Sequence, residues 1–564
     1  MKLRTSFFNL GVLRKNLTRF APLWILYAVA EILCLLSLDL ENAGNVANDL
    51  TYIMGPVNIF HAGYALLVAA CLFGDLFDSR LCNGLHAMPM RREGWLLTNL
   101  ASGLVFALIP AVAGGAVGAV ILGEYYWLAL LWQATSLLQF LFFFGVAVFS
   151  AMCAGKRLGM IAVYAIVNFL SMLVYWAATL IYEPLLPGVV ITGDWFNLFC
   201  PVVTMTTDTY VDFYYDSLLG GFYKGLLPEQ WQYLFVCAGV GLVFTVLAWL
   251  LYRKRNLETA GDFISFRPMR IFFLLAYTFA AGALLYSFGD LFGLYKDYGF
   301  LVVGLLIGWF TGWMLLERTL KIFTKKVFLS FTAFALLFAG SVGLTFADPA
   351  GVATRVPQAG EIANVCLYHT QEAFAYTSTA YYEGGWYITD PAEIAEVKAL
   401  HAQMIEVQGT KDGEIINMEL RYELKNGHHV YRSYDVPTES AVAEDLGLFL
   451  SDPRAVFAVN DWQQVKELAD SASVYLQGNA YEDINIIDSQ QMQQLLAAIE
   501  ADCEAGNFAQ HDYLHVGQDY VGSIHIPWQV VKTTGRGTIS RNANLGVYAD
   551  CTNTVAFLKT LRMN

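Results

Sequence analysis

The first 347 residues alternate between long apolar runs and short polar breaks. Nine runs have spanning length, near residues 20–40, 53–75, 100–122, 128–153, 158–182, 230–252, 271–289, 298–316 and 327–347. Each approaches the roughly 20 residues that an α-helix needs to cross hydrocarbon. In lipid only helices or closed barrels satisfy their backbone, and these runs are too long and too continuously apolar for barrel strands. The pattern predicts a polytopic α-helical membrane protein of about nine transmembrane helices. Ahead of the first run, Leu10, Leu13, Leu17 and Phe20 share a stripe while Arg14, Lys15 and Arg19 lie off it. Residues 1–19 therefore read as an interfacial amphipathic helix, or else as an ordinary basic flank.

Beyond residue 347 the periodicity changes. Pro349, Gly351, Pro357 and Gly360 mark 348–365 as a linker, and 366–564 reads as a soluble α+β domain. Within it Ile388-Thr389-Asp390-Pro391-Ala392-Glu393 is echoed by Ile486-Ile487-Asp488-Ser489-Gln490-Gln491. Each copy places an Asp N-cap three residues before Glu or Gln and ahead of a helical apolar stripe, a weak two-fold repeat. Alternation from Ile416 to Leu424, then Asn426-Gly427, then Val430, Tyr434 and Val436 predicts a hairpin with a type I′ turn.

Charge adds an orientation. The whole-chain net charge of −14 divides into +2 over residues 1–347 and −16 over 348–564. Nineteen Lys and Arg fall on one side of the predicted spans and two, Lys224 and Lys296, on the other. The positive-inside rule then makes the N-terminus cytoplasmic and, after nine crossings, the C-terminal domain extracytoplasmic. An acidic domain lacks the basic footprint of a nucleic-acid binder. The charged stretch through Arg19 does not fit a cleaved signal peptide. Of nine cysteines only Cys366, Cys503 and Cys551 lie outside the membrane half, too few for a disulfide framework.

Two basic breaks carry more than charge. Between spans two and three, Arg80, Leu81, Gly84, Leu85, Met88, Pro89, Arg91 and Arg92 place Leu81, Leu85 and Met88 at helical spacing before Pro89. A partner could grip such a short helix; a solvated basic turn is the alternative. After span six comes Arg253-Lys254-Arg255 with Glu258 and Gly261, a dense positive patch that also serves as a helix stop signal. These breaks resemble the cytoplasmic coupling segment and the Lys/Arg-Arg-x-x-Glu-x-Ala-Gly signature of bacterial ABC-2-type transporter permeases, in a Firmicute-type branch with extra spans and an external tail. The resemblance implies an amphipathic helix at 1–19, a six-span permease core at 20–252, a basic cytoplasmic loop at 253–270 and short re-entrant helices within 183–229. It also implies residence in the bacterial cell membrane, docking of a separate ABC ATPase subunit on both loops, and pairing with a second permease subunit. The three additional spans at 271–347 depart from the six-span pattern.

No energy source is written into the chain itself. The Gly155-Lys156 pair is followed by Arg157 where a phosphate-binding loop needs Ser or Thr, so ATP and magnesium are expected in the partner and no cofactor here. Ion coupling would need ionisable groups inside spans, and Glu31, Asn58 and His61 are the polar candidates, or else simple helix-to-helix contacts. His511, His515, His525, His428 and His429 complete no metal pattern, so no metal and no enzyme activity are expected. The sequence favours an exporter of amphipathic, lipid-like or peptide-antibiotic compounds. An ion-coupled carrier and a membrane-anchored sensor or assembly protein are the alternatives.

Overall fold

The computed structural model describes residues 8–38, 43–87, 91–207, 209, 212–216, 220–291, 298–368, 387–407, 415–450, 453–454, 457, 462–476, 482–507, 520–531 and 538–562. It divides into two compact units, Met1–Ala177 with Trp195–Leu337, and Ala178–Asp194 with Phe338–Asn564.

The first unit is helical: α1 (Leu10–Arg19), α2 (Ala21–Leu36), α3 (Ala43–Leu72), α4 (Ser79–Ala87), α5 (Arg92–Leu122), α6 (Tyr126–Cys153), α7 (Arg157–Ala177), α8 (Asp194–Leu198), α9 (Pro201–Thr207), α10 (Pro228–Lys254), α11 (Arg267–Leu291), α12 (Tyr298–Glu317) and the start of α13 (Lys325–Ala347). Among the described residues, eight helices are long and apolar enough to cross a membrane. The first expected span, 20–40, differs. Its helix α2 is only 16 residues long, and it counts as a span only together with α1, from which it bends by 61°. The bend falls at Phe20-Ala21-Pro22, where Pro22 has no N–H to continue the α1 ladder. Nor is α1 a simple amphipath. Asn16, not Leu10, is its buried residue, and Asn16 Nδ2 donates to Asn99 Oδ1 and Ser102 Oγ on α5.

The segment between α7 and α10 holds the two short helices α8 and α9 and an antiparallel hairpin, β1 (Asp212–Asp216) with β2 (Gly220–Gly225). Helix α6 is central, packing on α3, α5, α7 and α10. Its approach to α10 is very close, because a Cβ on Gly145 would lie 2.0 Å from the Gly241 carbonyl oxygen and one on Gly241 2.5 Å from that of Leu141. Close backbone contact is how apolar helices gain adhesion where lipid offers no hydrophobic drive. The same device joins α11 to α12, whose Gly304, Gly308 and Gly312 fall one turn apart against Ala281, Thr278 and Leu274.

The second unit contains two modules of one topology. The first runs β3 (Ile362–Tyr368), β4 (Tyr387–Ile388), α14 (Pro391–Val407), β5 (Ile415–Leu424), β6 (His429–Pro437) and α15 (Ala441–Leu450). After α16 (Trp462–Leu468), the second runs β7 (Ala472–Leu476), β8 (Glu482–Ile486), α17 (Ser489–Glu504), β9 (Tyr520–Val531), β10 (Thr538–Tyr548) and α18 (Thr552–Arg562). Both sheets are antiparallel, ordered β4-β3-β5-β6 and β8-β7-β9-β10. Each module has its own core. Asp390 and Asp488 occupy matching helix starts, and their carboxylates accept from the Glu393 and Gln491 N–H groups respectively. The hairpin turn is not type I′. Gly427 alone is left-handed and its N–H donates to the Leu424 carbonyl, because the chain needs four residues to pass from β5 to β6. The segment Leu186–Val190 also belongs to this unit and bridges to β6 at Val189 and Arg432.

Two outcomes are expected. Gly241→Leu overfills the α6–α10 contact and lowers thermal stability in detergent by about 3 kcal/mol or more. Glu419, on the sheet face away from α14, is buried with one oxygen unpartnered, and burial pushes its carboxyl up to about 8. Between the ordinary carboxylate range and pH 8 the folded state holds more protons than the unfolded state, so stability falls as pH rises through that window. Glu419→Gln should abolish that slope and stabilise the unit at pH 8 by about 1–3 kcal/mol in thermal scans.

Candidate functional site

Two constellations in the helical unit collect the residues singled out above. The first is a buried polar cluster. Glu31 on α2 and His61 on α3 are almost fully buried and meet at 2.9 Å, Nε2 to Oε1. His61 Nδ1 lies 2.7 Å from Gln139 Oε1 on α6, so with this amide orientation Nδ1 carries a proton and donates. The other oxygen of Glu31 accepts from Trp132 Nε1, in a short contact, and from Gln133 Nε2 at 3.4 Å. Tyr27, one turn before Glu31, stacks on Tyr64 and meets His61 edge-on. The carboxylate and the imidazole thus face each other across one buried hydrogen bond between two fixed atoms. Asn58 is not part of it. Its Nδ2 donates instead to the Val202 carbonyl and Thr206 Oγ1 on α9, 3.0 Å each.

Sequence reasoning found Glu31 and His61 but missed the three α6 partners. Their signal was present, since Trp132, Gln133, Ser136 and Gln139 fall about one turn apart in an otherwise apolar run.

The second constellation is the pair of basic breaks, which the fold brings side by side. Arg255 turns inward and is buried. Its Nη1 donates to the carbonyls of Ala151 and Met152 at the end of α6, and its Nη2 to that of Leu76 before α4. Burial lowers its guanidinium from the ordinary range, while the three carbonyls fix the side chain in place and favour its charged form. Arg92 stacks over the Tyr252 ring and donates to the Arg255 carbonyl. Gly261, left-handed, donates to the Gly155 carbonyl and accepts from Arg318. Much of the second signature is thus a bracket binding the α6–α7 turn. Arg253, Lys254 and Glu258 remain exposed.

Around the first break, Arg80, Leu81 and Gly84 are exposed on α4, whose first turn is capped by Asp78. Leu85 lies on the same helix and Arg91 is exposed just before α5, while Met88 and Pro89 fall outside the described residues. A concave surface of about 380 Å³ opens beside α4, lined by Gly74, Phe77, Asp78, Leu81, Lys156, Arg157 and Leu158. The α6–α7 turn that closes it was not anticipated from the sequence, where Lys156 and Arg157 read only as charge. His511 and His515 also fall outside the described residues.

Removing one partner of a buried ion pair strands the other, at a cost of about 3–5 kcal/mol. Glu31→Leu is therefore expected to destabilise the protein by that amount in thermal unfolding, and the double variant with His61→Leu to recover most of the loss. Additive losses would show that the two side chains are not coupled. No family model, no curated protein and no solved structure matches this chain.

Proposed function

We propose that this chain is the membrane-spanning permease subunit of an ATP-binding-cassette exporter, powered by a separate ATPase and completed by a second permease subunit. The observation that carries the reading is the concave surface beside α4, where exposed Leu81 and Leu158 offer apolar contact between Lys156 and Arg157. A short helix with an exposed leucine beside a basic turn suits a partner that brings an apolar knob with an acidic rim. By the distribution of Lys and Arg this surface is cytoplasmic, where ATP is available. The apolar character of the membrane-length helices suits an amphipathic or lipid-like cargo, peptide antibiotics included. The C-terminal unit then lies on the extracytoplasmic side of a bacterial cell membrane. The buried Glu31–His61 pair favours a second reading, an ion-coupled carrier, because it could exchange a proton during transport.

Co-purification with a separately expressed ABC ATPase subunit tests the first reading. Leu81→Asp and Arg157→Glu should each weaken the complex at least tenfold and remove stimulated ATP hydrolysis. Unchanged complex formation and hydrolysis in both variants would sink it. Transport by the chain alone in vesicles, driven by a proton gradient and lost in Glu31→Gln, would establish the carrier instead.

A further inference from the structure

The duplicated module supplies an internal control. Cys366 on β3 pairs with Tyr387 and Arg421, and Ser473 on β7 pairs with Asn485 and His525, so the two registers superimpose. Arg421 pairs with Tyr431, and His525 with Asn544. It follows that Tyr422 corresponds to Ile526, Arg432 to Leu545 and Tyr434 to Val547. Counting from the capping Asp390 and Asp488, His401 corresponds to Ile499. The second module fills these positions with buried Ile499, Ile526 and Val547. The first fills them with a closed polar network, in which His401 Nδ1 meets Tyr422 Oη at 2.9 Å and Nε2 meets Tyr434 Oη at 2.8 Å. The fold therefore has no need of this network, since apolar side chains serve at the same positions in the second module.

Among the described residues, what distinguishes the first module is a turn docked on it. The Val189 N–H donates to the Leu186 carbonyl to close that turn, Gly188 accepts from the Ser433 N–H at 3.0 Å, and Val189 makes a single bridge to Arg432, so Leu186–Val190 rests on the β6 edge. Gly188 is left-handed, with φ of 75°, and a Cβ there would lie 2.2 Å from the Tyr434 ring. The network thus ends on the residue against which the turn is seated. Arg432 completes the seat, its Nη2 donating to the carbonyls of Val352 and Arg355.

We propose that the first module is a latch for the chain segment that follows the Arg157–Ala177 helix, and that the His401–Tyr422–Tyr434 network controls whether Leu186–Val190 stays docked on β6. The proposal does not depend on how transport is driven.

A neutral imidazole has one donor and one acceptor nitrogen, and a tyrosine hydroxyl can serve either. The two hydroxyls can therefore partner it in either charge state, and what opposes protonation is burial and the neighbouring guanidinium. Protonation makes both nitrogens donors and places a cation beside Arg432. The groups facing His401 are Tyr422, Tyr434 and Arg432, with Asp348 and Arg355 behind the arginine. Strand β3 and helix α15 contribute Val365, Leu367, Val442, Ala443 and Leu446 to the same core, and Glu419 is on the opposite face of β5. Burial first, then Arg432, depresses the His401 imidazole to about 4. Once Tyr434 is uncovered the imidazole regains water and its ordinary range, so docking is complete above that range and is lost as pH falls towards 4.

Hydrogen exchange on the full-length protein in detergent micelles tests this, read at peptides covering 186–190 and 430–436. The wild type should protect both at pH 7. The triple variant His401→Ile, Tyr422→Ile, Tyr434→Val carries the second module's own core and should keep the α14 peptides protected while lowering protection at the two test peptides about tenfold or more. Equal protection would mean that the network only fills space, and would overturn the proposal. Should the triple variant unfold, Gly188→Ala decides: release of the same two peptides alone supports the latch, and unchanged protection overturns it. Lowering the pH from 7 to 4.5 should reduce wild-type protection there about tenfold after correction for intrinsic exchange. A flat profile would remove His401 as the controlling group.

Discussion

Hydrocarbon offers no hydrogen bonds, so a polar group in the helical unit is costly unless it finds its partner within the protein. Much of the unit's organisation answers that demand. Glu31 and His61 are tolerable in an apolar bundle because both carboxylate oxygens and both ring nitrogens meet partners, in a cluster of five side chains from three helices. Asn16 does the same for α1, attaching an otherwise exposed helix to α5 through two side-chain hydrogen bonds. Where polar groups are lacking, glycine takes over, bringing α6 onto α10 and α12 onto α11 backbone to backbone.

The same demand explains the basic breaks. Helix ends leave carbonyls unsatisfied, and the end of α6 is buried. Arg255 supplies donors to two of its carbonyls and to Leu76, so one guanidinium joins three chain segments. A cluster of positive residues therefore has two uses. The outward members, Arg253 and Lys254, remain exposed, while the inward one builds the platform from which α4 and the α6–α7 turn project.

The C-terminal unit follows the opposite physics. Water surrounds an antiparallel sheet with a helical cover, so each module needs only one apolar face, and the chain repeats that solution twice. Duplication lets the copies diverge. One keeps an apolar core, and the other places a histidine between two tyrosines beneath a docked turn.

Hydropathy alone revealed the membrane-length helices, because crossing hydrocarbon is a matter of length and composition, which are local. The one departure, α2, which reaches spanning length only together with α1, also has a local cause, a proline that divides the first run from its amphipathic lead. The paired Asp caps exposed the repeat for the same reason, since capping acts over three residues. What sequence could not determine was every pairing between distant residues: Glu31 with His61 and Gln139, Arg255 with the α6 carbonyls, Gly188 with Tyr434. A run of apolar residues says that a helix will be buried but not which neighbour it meets. Only the packing of the complete chain decides whether a polar residue faces solvent, a carbonyl or a counter-charge.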